Sequence, residues 1–387
     1  MPALISRMRR FGTTIFAEMS ALAREHDAIN LGQGFPDTDG PSEVLAAAVA
    51  GIESGDNQYP PGRGVPELLD AIAAHQQHYY GLRYDPASEI LVTVGATEAL
   101  SASLLALCEP GDEVIAFEPF YDVYDAAITL AGATLVPVRL EAPEFTFNPA
   151  ALEAAVSERT KVILLNTPHN PTGHVFGPEE LRRIADVAVR HDLVVVTDEV
   201  YEHLTFDGRE HAPIATLPGM RERSILISSG GKTFATTGWK VGWVCASPEL
   251  VTAVTTVKQF LTFVGPAPMQ RGIAAGLRLP DARIAEIRDG LQRQRDVLVA
   301  ALEGTGMRVH VPEGGYFIVA DVAPLGVTSA IDFCRELPER VGVAAVPMSV
   351  FYRDTTGVQT FVRFAFSKRI EVLEAAALRL AALGASH

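Results

Sequence analysis

The sequence predicts an α/β protein: a mostly parallel, seven-stranded sheet between helices, joined to a smaller α+β domain. Three observations predict it. From about residue 88 to 250, short runs rich in Val, Ile and Leu alternate with helical patterns, the rhythm of parallel strands covered on both faces. After about residue 280 that rhythm stops and a long charged helical pattern leads into scattered short strands. The 387 residues also exceed one ordinary core, since domains run to ~100–200 residues.

The strand-like runs are residues 89–94, 113–117, 134–138, 161–165, 193–197, 224–228 and 242–246, with helical patterns at 97–107, 121–131 and 178–191. The later part reads as a helix over 281–304, strands near 316–321 and 360–366, and a last helix over 370–383. Residues 45–285 are thus expected to form the large domain. Residues 1–44, which lack a strand–helix rhythm, are expected to join 286–387 in the small one. The Pro/Gly-rich piece at 57–66 reads as an ordered loop holding Tyr59 and Val65. No internal repeat or low-complexity tract interrupts the chain.

Composition narrows the function. A net charge of −15 argues against a nucleic-acid partner, which needs a basic face, while leaving room for a local basic pocket. Cys108, Cys245 and Cys334 are far apart with no CxxC spacing, so a reducing cytoplasm is the expected setting. No run approaches the ~18 apolar residues of a membrane span. Arg7, Arg9 and Arg10 precede no apolar stretch, so the opening reads as a segment packed on the body, not a signal peptide.

In sheets of this kind ligands sit beyond the carboxyl ends of the strands, and the loops there carry polar residues. Gly95, Ala96, Thr97 and Glu98 open a helix after the first run, a turn that lets backbone N–H groups approach an anion; alone, it is equally a common structural turn. Residues 166–173 read Asn-Thr-Pro-His-Asn-Pro-Thr-Gly, a rigid loop in which Asn170 offers an amide and His169 reads as structural. Asp198 ends a buried run, where a carboxylate needs a partner, or else caps the next helix; Tyr201 follows three residues on. Adjacent Asp198 and Glu199 point opposite ways on a strand end, so they do not read as a hydrolytic pair. Ser229, Gly230, Gly231 and Lys232 form a small-residue turn, and Lys240 lies just beyond. Burial there lowers a lysine pKa and frees its amine as a nucleophile. Arg363 sits in an apolar strand that demands an anionic partner. His75 and His78 lie three apart on a helical pattern; nothing in the sequence completes a metal site around them, and both read as helix-surface residues. Trp239 and Trp243 read as packing.

Taken together these motifs resemble the class I/II aminotransferases of the pyridoxal-phosphate (PLP) fold type I. The matching segments are Asn-x-Pro-x-Asn-Pro-x-Gly, Asp-Glu-x-Tyr and Ser-x-x-Lys-Thr-Phe-x-x-x-Gly-Trp-Lys-x-Gly-Trp, in that order. The likeness runs from Ile29 to Phe364. It implies PLP as cofactor, held by Lys232 as a Schiff base, with Lys232 later moving a proton. It implies that Asp198 faces the pyridinium nitrogen and that Tyr201 and Asn170 donate to the ring oxygen. Gly95, Ala96, Thr97, Ser229 and Lys240 would cradle the phosphate, and Phe120 would stack on the ring, although neighbouring Tyr121 leaves that register open. Arg363, with the backbone of Gly34 and with Asn170, would bind the substrate α-carboxylate. Tyr59 would reach a neighbouring subunit's site, which implies a homodimer with shared sites.

The reaction so implied is ping-pong transamination between an amino acid and a 2-oxo acid. The segments Gly-Gln-Gly-Phe-Pro-Asp, Asn-Gln-Tyr-Pro-Pro-Gly and Glu-Pro-Phe-Tyr-Asp resemble one branch of the family. Its members act on N-succinyldiaminopimelate, the favoured expectation, or on kynurenine, glutamine and methionine. A cysteine-conjugate β-lyase needs the same Lys and Arg and is the alternative. A PLP-sensing DNA-binding regulator is disfavoured by the acidic charge and by the ~30 residues before the first motif, too few for a helix-turn-helix.

Overall fold

A computed structural model of the chain describes residues 5–12 and 14–384. Its strands, in chain order, are β1 (Ile29–Asn30), β2 (Ile90–Val94), β3 (Glu113–Glu118), β4 (Thr134–Glu141), β5 (Thr146–Phe147), β6 (Thr160–Asn166) and β7 (Val194–Asp198). They continue with β8 (Ser224–Ser229), β9 (Val241–Cys245), β10 (Arg308–His310), β11 (Phe317–Asp321), β12 (Val343–Ala344), β13 (Val346–Pro347) and β14 (Phe361–Ala365). All seven expected runs are strands of one sheet. That sheet has eight strands, not seven, in the order β2-β9-β8-β7-β6-β3-β4-β5.

The pairings from β4 through β3, β6 and β7 to β8 are parallel, while β9 runs antiparallel to both β8 and β2. Strands β3, β8 and β9 are buried at every residue, as strands covered on both faces must be. The added strand β5 pairs only with Leu140 and Glu141 of β4. Pro137, which has no N–H to give, therefore sits on the part of β4 that β5 does not reach, where no ladder bond is lost.

The helices begin where the sequence supplies caps. Helix Pro178–Arg190 has proline in its first turn, and Glu180 accepts from Gly177 N–H at 2.9 Å, which satisfies an otherwise orphaned group. The long charged pattern forms one helix, Asp281–Glu303. Beyond it, β10-β11-β14-β13 make a four-stranded antiparallel sheet. The first segment packs beside it through β1, which pairs parallel with β12 in a separate two-stranded sheet. Of the basic opening stretch, residues 1–4 and 13 lie outside the described residues; Arg10 donates to Asp125 and Thr129, each at 2.7 Å. The 57–66 piece is an irregular loop between helices, with Val65 buried and Tyr59 exposed.

Apolar side chains gather in three buried clusters. The largest runs from Ile115 and Phe117 of the large sheet to Phe317, Val319 and Phe364 of the small one. A second lies between the large sheet and helix Gly95–Leu107, and a third beneath helices Pro66–Tyr80 and Ala267–Leu277. Each contains one free cysteine: Cys334, Cys108 and Cys245 in turn.

Candidate active site

The register of the large sheet brings the polar residues together. Asn166 is level with Asp198 at the ends of β6 and β7, and Asp198 pairs with Ile227 two residues before the end of β8. Ser229 ends β8 opposite Gly242, and Val94 ends β2 opposite Val241. Because β9 runs the other way, its first residues lie at the same sheet edge, and Lys240 just before it faces the turn after β2. A Cβ built on Gly95 would meet Lys240 Cε and Nζ at 3.0 Å, and Gly95 has φ +73°, so only glycine fits that approach. Lys240 itself is left-handed, φ 54° and ψ 44°, a conformation that functional sites retain at a cost.

A cavity of about 500 Å³ opens over this edge. It is lined by Gly34, Gly95, Ala96, Thr97, Asn170, Asp198, Tyr201, Ser229, Lys232, Lys240 and Arg363. One wall is thus the first turn of a thirteen-residue helix with a lysine and a serine beside it, the donor set for an anion.

Lys232 is half-buried in the turn after β8. Burial lowers its pKa to about 8; Asp198 opposes the shift, and the like charges of Lys240 and Arg363 add to it. The amine is therefore far more often neutral near pH 8 than a surface lysine. Tyr316 holds the turn by donating from its hydroxyl to the Lys232 carbonyl. Asp198 is buried, which raises its pKa, against a 2.8 Å hydrogen bond from the Tyr124 hydroxyl and one from Val200 N–H. A carboxylate in that position stabilises a cationic partner across the cavity. Burial also keeps the Tyr201 hydroxyl protonated, with its pKa well above the ordinary value, so it serves as a donor.

Arg363 is 2% exposed. Its guanidinium lies 3.8 Å from the Phe317 ring centroid and 4.7 Å from that of Phe351. It donates to Asn170 Oδ1 at 3.2 Å and to the Gly32 carbonyl at 3.1 Å, while its Nε has no partner. Burial lowers its pKa to about 10, so it stays cationic at neutral pH. Among the described residues no carboxylate lies within ion-pair distance of it. Asn170, whose oxygen takes the arginine, keeps its NH₂ for another acceptor. Gly34 presses against the Phe317 ring, where a Cβ would sit 2.2 Å from Cζ.

Two expected site residues lie elsewhere. Phe120 is 5% exposed within the second apolar cluster, its N–H bonded to the Phe351 carbonyl. Tyr121, one residue on, lines the cavity instead. Tyr59 does not line the cavity of its own chain; it is 82% exposed and packs edge-on to Phe263. His75 is not a surface residue but 3% exposed, with Nε2 2.6 Å from His203 Nε2. His78 is exposed and pairs with Asp281, His169 is buried against Thr172, and Trp243 is buried in the third cluster.

Sequence reasoning missed Tyr124, and also Asn166, whose NH₂ donates to the Asp198 carbonyl at 2.8 Å while its oxygen accepts from Asn170 N–H. Asn166 had a signal, since it opens the same Asn-Pro motif. Phe16, Gln33, Asp122 and Phe317 also line the cavity, and no local pattern marks them.

The amine and buried acid at one edge of the large sheet, facing a guanidinium carried by β14 of the small sheet across one cavity, suit an enzyme that transfers amino groups. The chain belongs to the class I and II aminotransferases, whose family profile matches residues 26–380. It is 49% identical over 389 residues, 98% of each chain, to a probable N-succinyldiaminopimelate aminotransferase of Mycobacterium tuberculosis H37Rv. It is 40% identical over 97% of each chain to methionine aminotransferase of Escherichia coli K12. To mouse kynurenine–oxoglutarate transaminase 3 it is 37% identical, over 96% of this chain and 88% of the relative. The solved structure of N-succinyldiaminopimelate aminotransferase from Mycobacterium tuberculosis superimposes with a TM-score of 0.96, covering 98% of this chain and 100% of that one at 50% identity.

Proposed function

We propose that the cavity holds pyridoxal 5′-phosphate and that the enzyme moves the amino group of an amino acid to a 2-oxo acid such as 2-oxoglutarate, in ping-pong fashion. The observation that carries this reading is the convergence of Lys232, Asp198 and the Gly95–Lys240 cradle on one cavity, opposite a buried Arg363 that lacks an anion. The residues suit the group: the cradle fits a phosphate, the buried carboxylate a pyridinium, and the amine of lowered pKa a covalent anchor. When bound, PLP supplies an electron sink for the substrate α-carbon.

The chain's own residues do the rest. Gly95, Ala96, Thr97, Ser229 and Lys240 hold the phosphate. Asp198, fixed by Tyr124, would hold a proton on the ring nitrogen, and Tyr201 and Asn170 would be the donors to the ring oxygen. Tyr121, which lines the cavity where Phe120 does not, would be the residue to cover the ring face. Lys232 would anchor the cofactor, and its amine, of lowered pKa, would be the group placed to move the α-proton. Arg363 and the backbone at Gly34 hold the α-carboxylate.

N-succinyldiaminopimelate is the favoured amino donor, supported by the 49% identity over nearly the whole chain. A second reading, with methionine, kynurenine, glutamine or a cysteine conjugate as donor (the last by β-elimination), draws on the lining. Beyond Lys232, Lys240 and Arg363 no cation lines the cavity among the described residues, whereas Phe16, Phe35, Tyr121 and Phe317 do. The distal carboxylates of a succinylated substrate would then need a cation from a second copy. A homodimer with shared sites fits the exposed apolar group of Tyr59, Phe260, Leu261 and Phe263. We further infer two domains, 45–285 and 1–44 with 286–387, and a cytoplasmic setting, which three buried free cysteines suit.

The test is spectroscopic and then kinetic. The purified protein should show the absorbance of covalently held PLP, shifting on addition of an amino donor, and Lys232→Ala should lose both. A panel of N-succinyldiaminopimelate, methionine, kynurenine and glutamine with 2-oxoglutarate then ranks the donors. Release of pyruvate and ammonia without an oxo acid would mark β-elimination. A protein that neither carries nor takes up PLP would sink the proposal.

A further inference from the structure

The turn that carries Asp198 and Tyr201 continues into Glu202 and His203, which do not line the cavity and have no part in the reaction described. They meet His75 of helix Pro66–Tyr80. The three side chains each offer one ligand atom, and these atoms lie within 4.8 Å of one another. His75 Nε2 is 2.6 Å from His203 Nε2 and 4.0 Å from Glu202 Oε2. His75 and Glu202 are 3% and 4% exposed.

We propose that His75, His203 and Glu202 bind a divalent transition metal, with zinc the ion best suited to two imidazoles and one carboxylate. Neutral imidazole is the ligating form. Burial first, with the neighbouring His78 adding, lowers His75 to about 3; burial also dominates at His203, which falls to about 4 despite Glu202. Glu202 is held in place from both ends: Oε2 accepts from the Tyr80 hydroxyl at 2.8 Å and Oε1 from Ser228. Each oxygen keeps a second lone pair for an ion, and supports of this kind orient ligands in metal sites. A tetrahedral ion at ~2.0–2.1 Å from each nitrogen would hold the two nitrogens about 3.3 Å apart, so the rings need part by less than about 1 Å. The proton between them moves to the Nδ1 of the ring that carried it. The fourth position falls to water. Such an ion would tie helix Pro66–Tyr80 to the turn that begins with Asp198.

The experiment uses tag-free, PLP-loaded protein stripped on a chelating resin and titrated with zinc chloride in a calorimeter, with elemental analysis after dialysis. The expected result is one zinc per chain, with affinity at least ~100-fold weaker in His75→Gln and in His203→Gln. His78→Gln, on the same helix but paired with Asp281, should bind as before. Retained cofactor absorbance shows that each variant is folded. Should a variant fail to fold, cobalt(II) on the unaltered protein gives the answer, as intense four-coordinate absorption supports the site and weak six-coordinate absorption overturns it. The proposal is also overturned by no uptake, which leaves a plain imidazole–imidazole hydrogen bond, or by uptake that persists in the double variant.

Discussion

Arg363 is a cation set among aromatic rings, held by an amide oxygen and a backbone carbonyl. Neutral acceptors do not offset the desolvation of a buried charge, which is what favours an anionic ligand at this position. Lysine cannot replace it: a point charge on a flexible stem cannot span Asn170 and Gly32 and still grip a carboxylate with two parallel bonds. Arg363→Lys is expected to lower kcat/KM by roughly 100-fold, the loss of about one charge-assisted hydrogen bond at ~1.5–3 kcal/mol, mostly through KM. Steady-state kinetics with the preferred donor checks this, and an unchanged KM would contradict it. Its burial was legible from sequence, because the strand that carries it is otherwise apolar throughout. The choice between Phe120 and Tyr121 was not. They are adjacent aromatics at a strand-to-helix turn, and the long-range bond from Phe120 N–H to the Phe351 carbonyl, with the Phe120 ring in the second apolar cluster, accompanies the turning of Tyr121 to the cavity.

At the scale of elements, helix Asp122–Leu130 does more than cover the sheet. Tyr121 precedes it and Tyr124 lies three residues on, so both rings share one face, with centroids 5.8 Å apart. Tyr124 thereby reaches Asp198 and offsets part of the cost of its burial. Tyr124→Phe removes that hydrogen bond and should push the Asp198 pKa further up. The expected outcome is apparent PLP affinity lower by roughly 10–100-fold, for a bond to a charged group worth ~1.5–3 kcal/mol, read by cofactor retention after dilution. Wild-type retention would show that Tyr124 is not needed. The seven large-sheet strands were legible because each is a Val/Ile/Leu run bounded by turns; β5, two residues long, has no such run. His75 was misread although its signal was present. Leu68, Ala71, Ile72 and His75 recur at helical spacing on the buried face, and the comparison with His78 alone hid that stripe.

At the scale of the molecule, the Asn-Pro loop after β6 is fastened to the connection between β10 and β11 of the small sheet. His174 pairs with Glu180 at 2.9 Å and Glu313 at 3.4 Å, and Glu313 N–H and Gly314 N–H donate to the Gly173 carbonyl. Burial opposes charge on His174, yet the hydrogen bonds it donates to the two glutamates win and raise its pKa to about 9. A pKa raised on folding stabilises fully below the unfolded value near 6.5, and that stabilisation is lost as pH rises through 9. His174→Gln should therefore flatten the fall in stability between those limits by up to about 3 kcal/mol, seen as urea midpoints that no longer decline with pH. An unaltered slope would place the dependence elsewhere. The fold class could be read from the alternation of patterns, but this fastening could not. It joins residues 174 and 313, which no local period relates.

The three cysteines make the molecule a gauge of its own opening. All are buried, and burial raises each thiol pKa, with Asp112 adding at Cys108 and Glu202 at Cys245. The native protein should be almost inert to thiol reagents. Because each apolar cluster holds one thiol, peptide-resolved labelling under mild denaturant times the exposure of each cluster separately. Simultaneous labelling would mean the molecule comes apart as one body. A lead by Cys334 would mean that the layer around the small sheet loosens first, with the cofactor cradle still intact.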